Sequence, residues 1–246
     1  MCAATLMLCE AGSEMIDGLP VARGAFERTV RLVSTARLRP PVLGDVVSEE
    51  FLQDLYEIEG ATSGRLNGQW RGTHGIEQTE FVYDVPHAHF INASFAYAKP
   101  SKPNRFNDGT RGAWYAALCV DTCLQEVKFH IVEELKNIDR FDTRVEYAEM
   151  HASFAGSFLD LTASNDHECL HPSAEIGYPV GNAIAEAARS QGINLIKYPS
   201  VRHRGGVCFA ALSPHVVQSV APGDVWTMVW EGDPEPTIAK TTAQAA

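Results

Sequence analysis

The chain is short of positive charge. Its 246 residues hold 20 Lys and Arg against 31 Asp and Glu, a net charge of −11. Neutralising a phosphate backbone needs a basic surface, so the balance argues against a nucleic-acid binder. Long apolar runs are also missing. No stretch approaches the roughly 20 residues of a membrane-spanning helix. Residues 1–9 are apolar but carry no basic n-region, which makes them a poor secretory signal. The six cysteines, at 2, 9, 119, 123, 169 and 208, are too sparse for a disulfide framework and read as reduced thiols, so the expected compartment is the cytoplasm. Cys119 and Cys123 are spaced C-x3-C with no second Cys or His pair to match, so no zinc site and no other metal centre is expected. Neither G-x-G-x-x-G nor a Walker sequence occurs, which excludes a Rossmann dehydrogenase or P-loop NTPase.

Hydrophobic content of 45% and charged content of 21% suit a soluble globular protein with a sizeable core. No repeat or long linker divides the chain. The expected organisation is an extension over 1–24, one domain over 25–232, and a disordered tail over 233–246 that begins at Gly-Asp-Pro-Glu-Pro. Residues 30–33 read as a first strand. Ser48 reads as the N-cap of a helix with Phe51, Leu52, Leu55 and Ile58 on one face, ended by Gly60. Residues 61–110, rich in Gly, Pro, Asn and His, read as loops with short strands, including one over 90–97. Residues 112–118 read as a strand. Thr122 and Gln125 match a capping box, opening a helix with Leu124, Val127, Ile131 and Leu135 on one face. Weak strands over 144–161, an Ala-rich helix over 182–191 closed by Gly192, and strands over 193–198, 207–212 and 225–230 complete the order. Without a regular β-α alternation, the fold class is α+β around a bent sheet flanked by helices.

The chemistry concentrates in two places. Asn104-Arg-Phe-Asn-Asp-Gly109 and Trp114-Tyr-Ala-Ala117 put an Arg on a turn before an apolar strand that carries Tyr115. Gln125-Glu126 follows, and Tyr198-Pro-Ser-Val-Arg-His-Arg-Gly-Gly206 supplies Ser200 on a second Gly-rich turn. A guanidinium on a turn grips phosphate bidentately. A lone carboxylate near a sugar suits oxocarbenium chemistry. Together they point to a pocket for a dinucleotide whose glycosidic bond is broken. Each residue also has a plainer reading. Arg105 could sit on a solvated turn, and Glu126 could only complement a helix dipole, a contribution of roughly 0.3–1 kcal/mol. Glu126 and His130, one turn apart, could be an acid–base couple or a metal pair, but no HExxH and no third ligand accompany them. Ser200 lacks a G-x-S-x-G elbow, so it reads as a hydrogen-bonding residue rather than a nucleophile. Phe106, Trp114 and Phe209 read as core.

Taken in order, Arg31-Leu-Val-Ser34, the Asn104 turn with its strand, Gln125-Glu126 with His130, and the Tyr198–Gly206 turn resemble the RES-domain family, named for an Arg, a Glu and a Ser. The similarity covers about residues 31–232. The Pro of the family's first segment is absent here, Thr62-Ser-Gly-Arg65 lacks the expected Asn, and Arg37 and Arg39 compete with Arg31 for the first role. The resemblance implies a mostly antiparallel fold similar to ADP-ribosyltransferases. It also implies a toxin-like enzyme that cleaves the nicotinamide–ribose bond of NAD+ as a glycohydrolase or phosphorylase. NAD+ is then a substrate and no cofactor is expected. An ADP-ribosyltransferase acting on a specific protein is the near alternative, and a catalytically silent partner-binding module the distant one. In this reading Arg31 and Arg105 hold the pyrophosphate and Tyr115 stacks on the nicotinamide ribose or ring. Glu126 stabilises the oxocarbenium ion and Ser200 orients the ribose. The implied partner is an Xre-type antitoxin with a ParS-like segment masking the site. Homo-oligomerisation is left open.

Overall fold

The computed structural model describes residues 7–10, 15–16, 18–35, 75–96, 103–164 and 166–241. The sequence-predicted helix over 48–60, Arg37, Arg39 and Thr62–Arg65 lie outside them. Nine strands form the described sheet: β1 (Met7–Glu10), β2 (Met15–Ile16), β3 (Leu19–Ser34), β4 (Trp114–Ala117), β5 (Asp142–Asp160), β6 (Leu195–Pro199), β7 (Val207–Ala211), β8 (Gln218–Glu231) and β9 (Thr237–Thr241). The α-helices among the described residues are α1 (Ala88–Ala96), α2 (Val120–Asn137) and α3 (Ala174–Ser190).

Two long strands organise the rest. β3 and β5 pair antiparallel from Val21 opposite Leu159 to Ser34 opposite Tyr147, with a bulge between Phe26 and Thr29. The other edge of β5 pairs β8, and β8 pairs β9. At its far end β5 bends into a short parallel pairing with β6 through Leu159 and Asp160. β6 continues to β7, β7 to β4, and Ala117 of β4 returns to Val30 of β3. The pairing β3–β4–β7–β6–β5–β3 therefore closes on itself, with β5–β6 its one parallel step. Closure removes edges that would otherwise be open to pairing with other chains. The fold is α+β on a bent, mostly antiparallel sheet, as expected from the element order.

β7 shows why closure suits this sequence. Its run Val-Cys-Phe-Ala-Ala is apolar without alternation, because both faces are covered. Cys208 and Ala210 join a cluster with Phe106, Leu161, Ile184 and Ala188 of α3, whereas Phe209 and Ala211 join Phe26, Phe95, Trp114 and Phe158. Phe106, Trp114 and Phe209 are fully buried, as the sequence suggested. A third cluster beneath α2 holds Leu124, Leu135, Met228 and Trp230.

Several local expectations are corrected. Residues 90–97, read as a strand, lie mostly in helix α1, where Ile91, Asn92, Phe95 and Ala96 are buried at helical spacing. The Asn92 amide accepts from the Val82 N–H at 3.1 Å and donates to the Val82 carbonyl at 2.8 Å, making it part of the packing. Helix α2 begins at Val120 with Cys119 as N-cap, so Thr122 is no cap. The weak strands over 144–161 are one strand, β5. Helix α3 starts at Ala174, well before 182. The extension over 1–24 contributes β1, β2 and the start of β3, and the tail read as disordered contributes β9. No described helix is long and apolar enough to cross a membrane.

Candidate active site

A cleft of about 230 Å³ opens where β3 and β4, α2, the start of α3 and the turn after β6 converge. It is smaller than the roughly 300–1,000 Å³ typical of whole-ligand pockets. Arg31, Arg105, Tyr115, Glu126, His130, Tyr178, Arg202 and Cys208 are among the lining residues. Four of the five sequence-predicted site residues thus line one cleft, and the fifth, Ser200, touches it through Glu126.

Glu126 projects from the second turn of α2. Its Oε1 accepts a hydrogen bond from Ser200 Oγ at 2.6 Å. Ser200 Oγ also accepts from the backbone N–H groups of His203 at 2.9 Å and Arg202 at 3.2 Å. The same oxygen that orients the carboxylate therefore fixes the turn that carries it. That turn is nailed to α2 a second time. Buried Thr122 meets His203 Nδ1 through Oγ1 at 2.9 Å, and Gly206 packs so close that a Cβ there would stand 2.7 Å from Thr122 Oγ1. A glycine is required at that close approach.

Arg105 and Tyr115 depend on the Asn104–Gly109 turn. The Tyr115 hydroxyl accepts from the Phe106 N–H at 3.0 Å and donates to Asn107 Oδ1 at 2.9 Å. Burial holds the phenol pKa well above its ordinary value, so it stays protonated and serves the turn. Arg105 is buried, with its Nη1 donating to the carbonyls of Cys169 and, at 3.0 Å, His171. Its guanidinium lies 5.3 Å from the Tyr178 ring centroid. Arg31 comes from β3, 4.8 Å over the Trp114 ring.

Two lining residues were not given a role from sequence. Arg202 lies on the Ser200 turn, donates to the Pro172 carbonyl at 2.6 Å and stacks 3.5 Å over Phe129. The motif Val-Arg-His-Arg contained it, but spacing alone does not choose between its two arginines. Tyr178 sits on the part of α3 that Pro179 and two glycines hid from the helix pattern. His130 occupies the exposed rim, where partial burial lowers its pKa and Glu126 opposes the shift. Cysteine is no nucleophile here. Burial pushes the Cys123 thiol up to about 12, and burial beside Glu126 pushes Cys208 well up, so both stay protonated. Among the described residues no group of three or more His, Cys, Asp or Glu is placed to hold a metal ion.

The cleft therefore offers a held carboxylate, a cationic wall and aromatic rings, the elements needed to bind an anionic glycoside and stabilise a cationic ring. No curated protein matches the chain. The RES domain model matches residues 81–231, which include Arg105, Tyr115, Glu126 and Ser200. With more than half its length matched, the chain belongs to the RES-domain family, which is associated with toxin-like NAD-processing enzymes.

Proposed function

We propose that this cleft breaks the nicotinamide–ribose bond of NAD+, consuming cellular NAD and arresting growth. The observation that carries the reading is the Glu126 carboxylate, fixed by Ser200 at 2.6 Å inside a cleft with three arginines. Arg31 and Arg105 bind the pyrophosphate by charge-assisted hydrogen bonds. Glu126 accepts from the ribose 2′-hydroxyl and stabilises positive charge as it develops at C1′. That interaction is stronger in the transition state than in the ground state, which is the condition for acceleration. The C1′–N bond electrons move to the pyridinium nitrogen, and nicotinamide leaves neutral without a proton. A single carboxylate therefore suffices, unlike the pair in most glycosidases. Water or phosphate then adds to C1′ and gives up its proton. Tyr115 and Tyr178 supply aromatic surface beside the ribose and leaving group. An antitoxin covering the cleft is the partner that fits this activity.

Purified protein incubated with NAD+, with and without phosphate, should release nicotinamide, and Glu126→Ala should lose at least 100-fold in kcat while melting at the wild-type temperature. Wild-type turnover in Glu126→Ala refutes the assignment. Release that requires an added protein would make the chain an ADP-ribosyltransferase.

A further inference from the structure

The loop ahead of α3 does something the proposed mechanism does not use. Three of its carbonyl groups point at arginines: those of Cys169 and His171 accept from Arg105, and that of Pro172 accepts from Arg202 at 2.6 Å. The two arginines come from distant segments, the Asn104–Gly109 turn and the Ser200 turn. One short loop thus holds both guanidinium groups in one cleft.

Bringing like charges together is unfavourable. Burial lowers the Arg202 pKa below its ordinary value and the Arg105 charge lowers it further, opposed by Glu126. The loop carbonyls and the Phe129 face offset part of this. The lining still carries three arginines against one carboxylate, in a chain of net charge −11. Such a local excess suits an anion that bridges the pair.

We infer that Arg202 and Arg105, set side by side by the 169–172 carbonyls, form a diphosphate clamp in which Arg202 contacts the substrate directly. This rests on the reading of the cleft as an NAD+ site. Arg31, over Trp114, adds a third guanidinium to the same cleft. Arg202 is followed directly by His203, which is tied to Thr122, so Arg202 and the Ser200 that holds Glu126 are mounted on one turn. The diphosphate is thereby fixed relative to the reacting ribose. Remote binding contacts of this kind set the position of the reacting bond.

The test uses inorganic pyrophosphate titrated by calorimetry into the wild-type chain, Arg202→Gln, Arg202→Lys and, as a surface-charge control, Lys240→Gln. Arg202→Gln should weaken binding about tenfold or more, Arg202→Lys should recover only part because it cannot bind bidentately, and Lys240→Gln should bind as wild type. In turnover, Arg202→Gln should lower kcat/KM for NAD+ at least tenfold, and should lower that for nicotinamide riboside, which has no phosphate, far less. Pyrophosphate binding equal to wild type in Arg202→Gln overturns the clamp, as does an equal loss on both substrates. Should Arg202→Gln fail to fold, the Lys variant decides: full wild-type affinity and kcat/KM overturn the clamp. Absence of any wild-type NAD+ cleavage refutes the reaction, while Arg202-dependent pyrophosphate binding would still establish the subsite.

Discussion

Ser200 joins two tasks in one hydroxyl: it donates to Glu126 and accepts from the N–H groups of Arg202 and His203. Removing it leaves a carboxylate oxygen without its donor and loosens the turn. Hydrogen bonds to charged groups are worth about 1.5–3 kcal/mol, so Ser200→Ala should lower kcat roughly 10- to 100-fold. Ser200→Thr, which keeps the hydroxyl, should restore most of it. A Ser200→Ala enzyme with wild-type kcat would remove the serine from the positioning of Glu126. At this scale the sequence was informative, because reactive side chains declare their type. Arg105, Tyr115, Glu126 and Ser200 could all be picked out from motifs. What each touches could not. The commitment of the Tyr115 hydroxyl to Phe106 and Asn107, and of Arg105 to two carbonyls more than sixty residues away, arises only when distant segments meet.

Helix α3 sets propensity against packing. Gly177 and Gly181 lie one turn apart on its buried face, and Pro179 stands between them. These residues depress the helical signal, which is why only the Ala-rich second half was legible. Their presence is explained by the neighbour. A Cβ at Gly181 would run into the Arg105 carbonyl oxygen, and one at Gly177 would stand 2.7 Å from the His171 carbonyl oxygen and 2.8 Å from Arg105 Nη1. The glycines thus form a groove that receives the Arg105 turn. On propensity alone Gly181→Ala would stabilise the helix by up to about 1 kcal/mol. The close approach reverses the sign, because backbone atoms cannot yield cheaply, and a net loss of about 1–3 kcal/mol is expected. Chemical denaturation checks it. A stabilised Gly181→Ala would show that α3 can shift away from Arg105 without strain. The same competition explains α1, read from sequence as a short strand over 90–97, where burial of Ile91 and Phe95 on one face selects a helix.

Closure of the sheet was the least legible feature. The class followed from the order of elements, but the β3–β5 pairing joins residues more than 100 positions apart, and no local pattern encodes such a register. Ion pairs brace the result over shorter separations, 31 and 37 residues. Arg111 donates to both Glu80 oxygens, at 3.0 and 2.6 Å, and to the Leu212 carbonyl after β7. Lys197 of β6 meets Asp160 of β5 at 2.8 Å, where the parallel step completes the ring. Burial raises the pKa of both carboxyls, but hydrogen bonds and the nearby cations overcome it, so Glu80 and Asp160 end below their ordinary values. The sign of the pH dependence follows. Groups with depressed folded-state pKa values bind fewer protons in the native chain than in the unfolded one, so their stabilisation is present above the unfolded value and lost as pH falls through the folded value. Stability should therefore hold near neutral pH and decline as pH falls from about 4.5, the ordinary value for Glu80. Glu80→Gln and Asp160→Asn should each melt lower than wild type at pH 7, and the difference should shrink toward pH 3 as the wild-type carboxylates take up protons. A difference that stays constant across that range would mean the pairs contribute packing alone, and that the ring closes without help from charge.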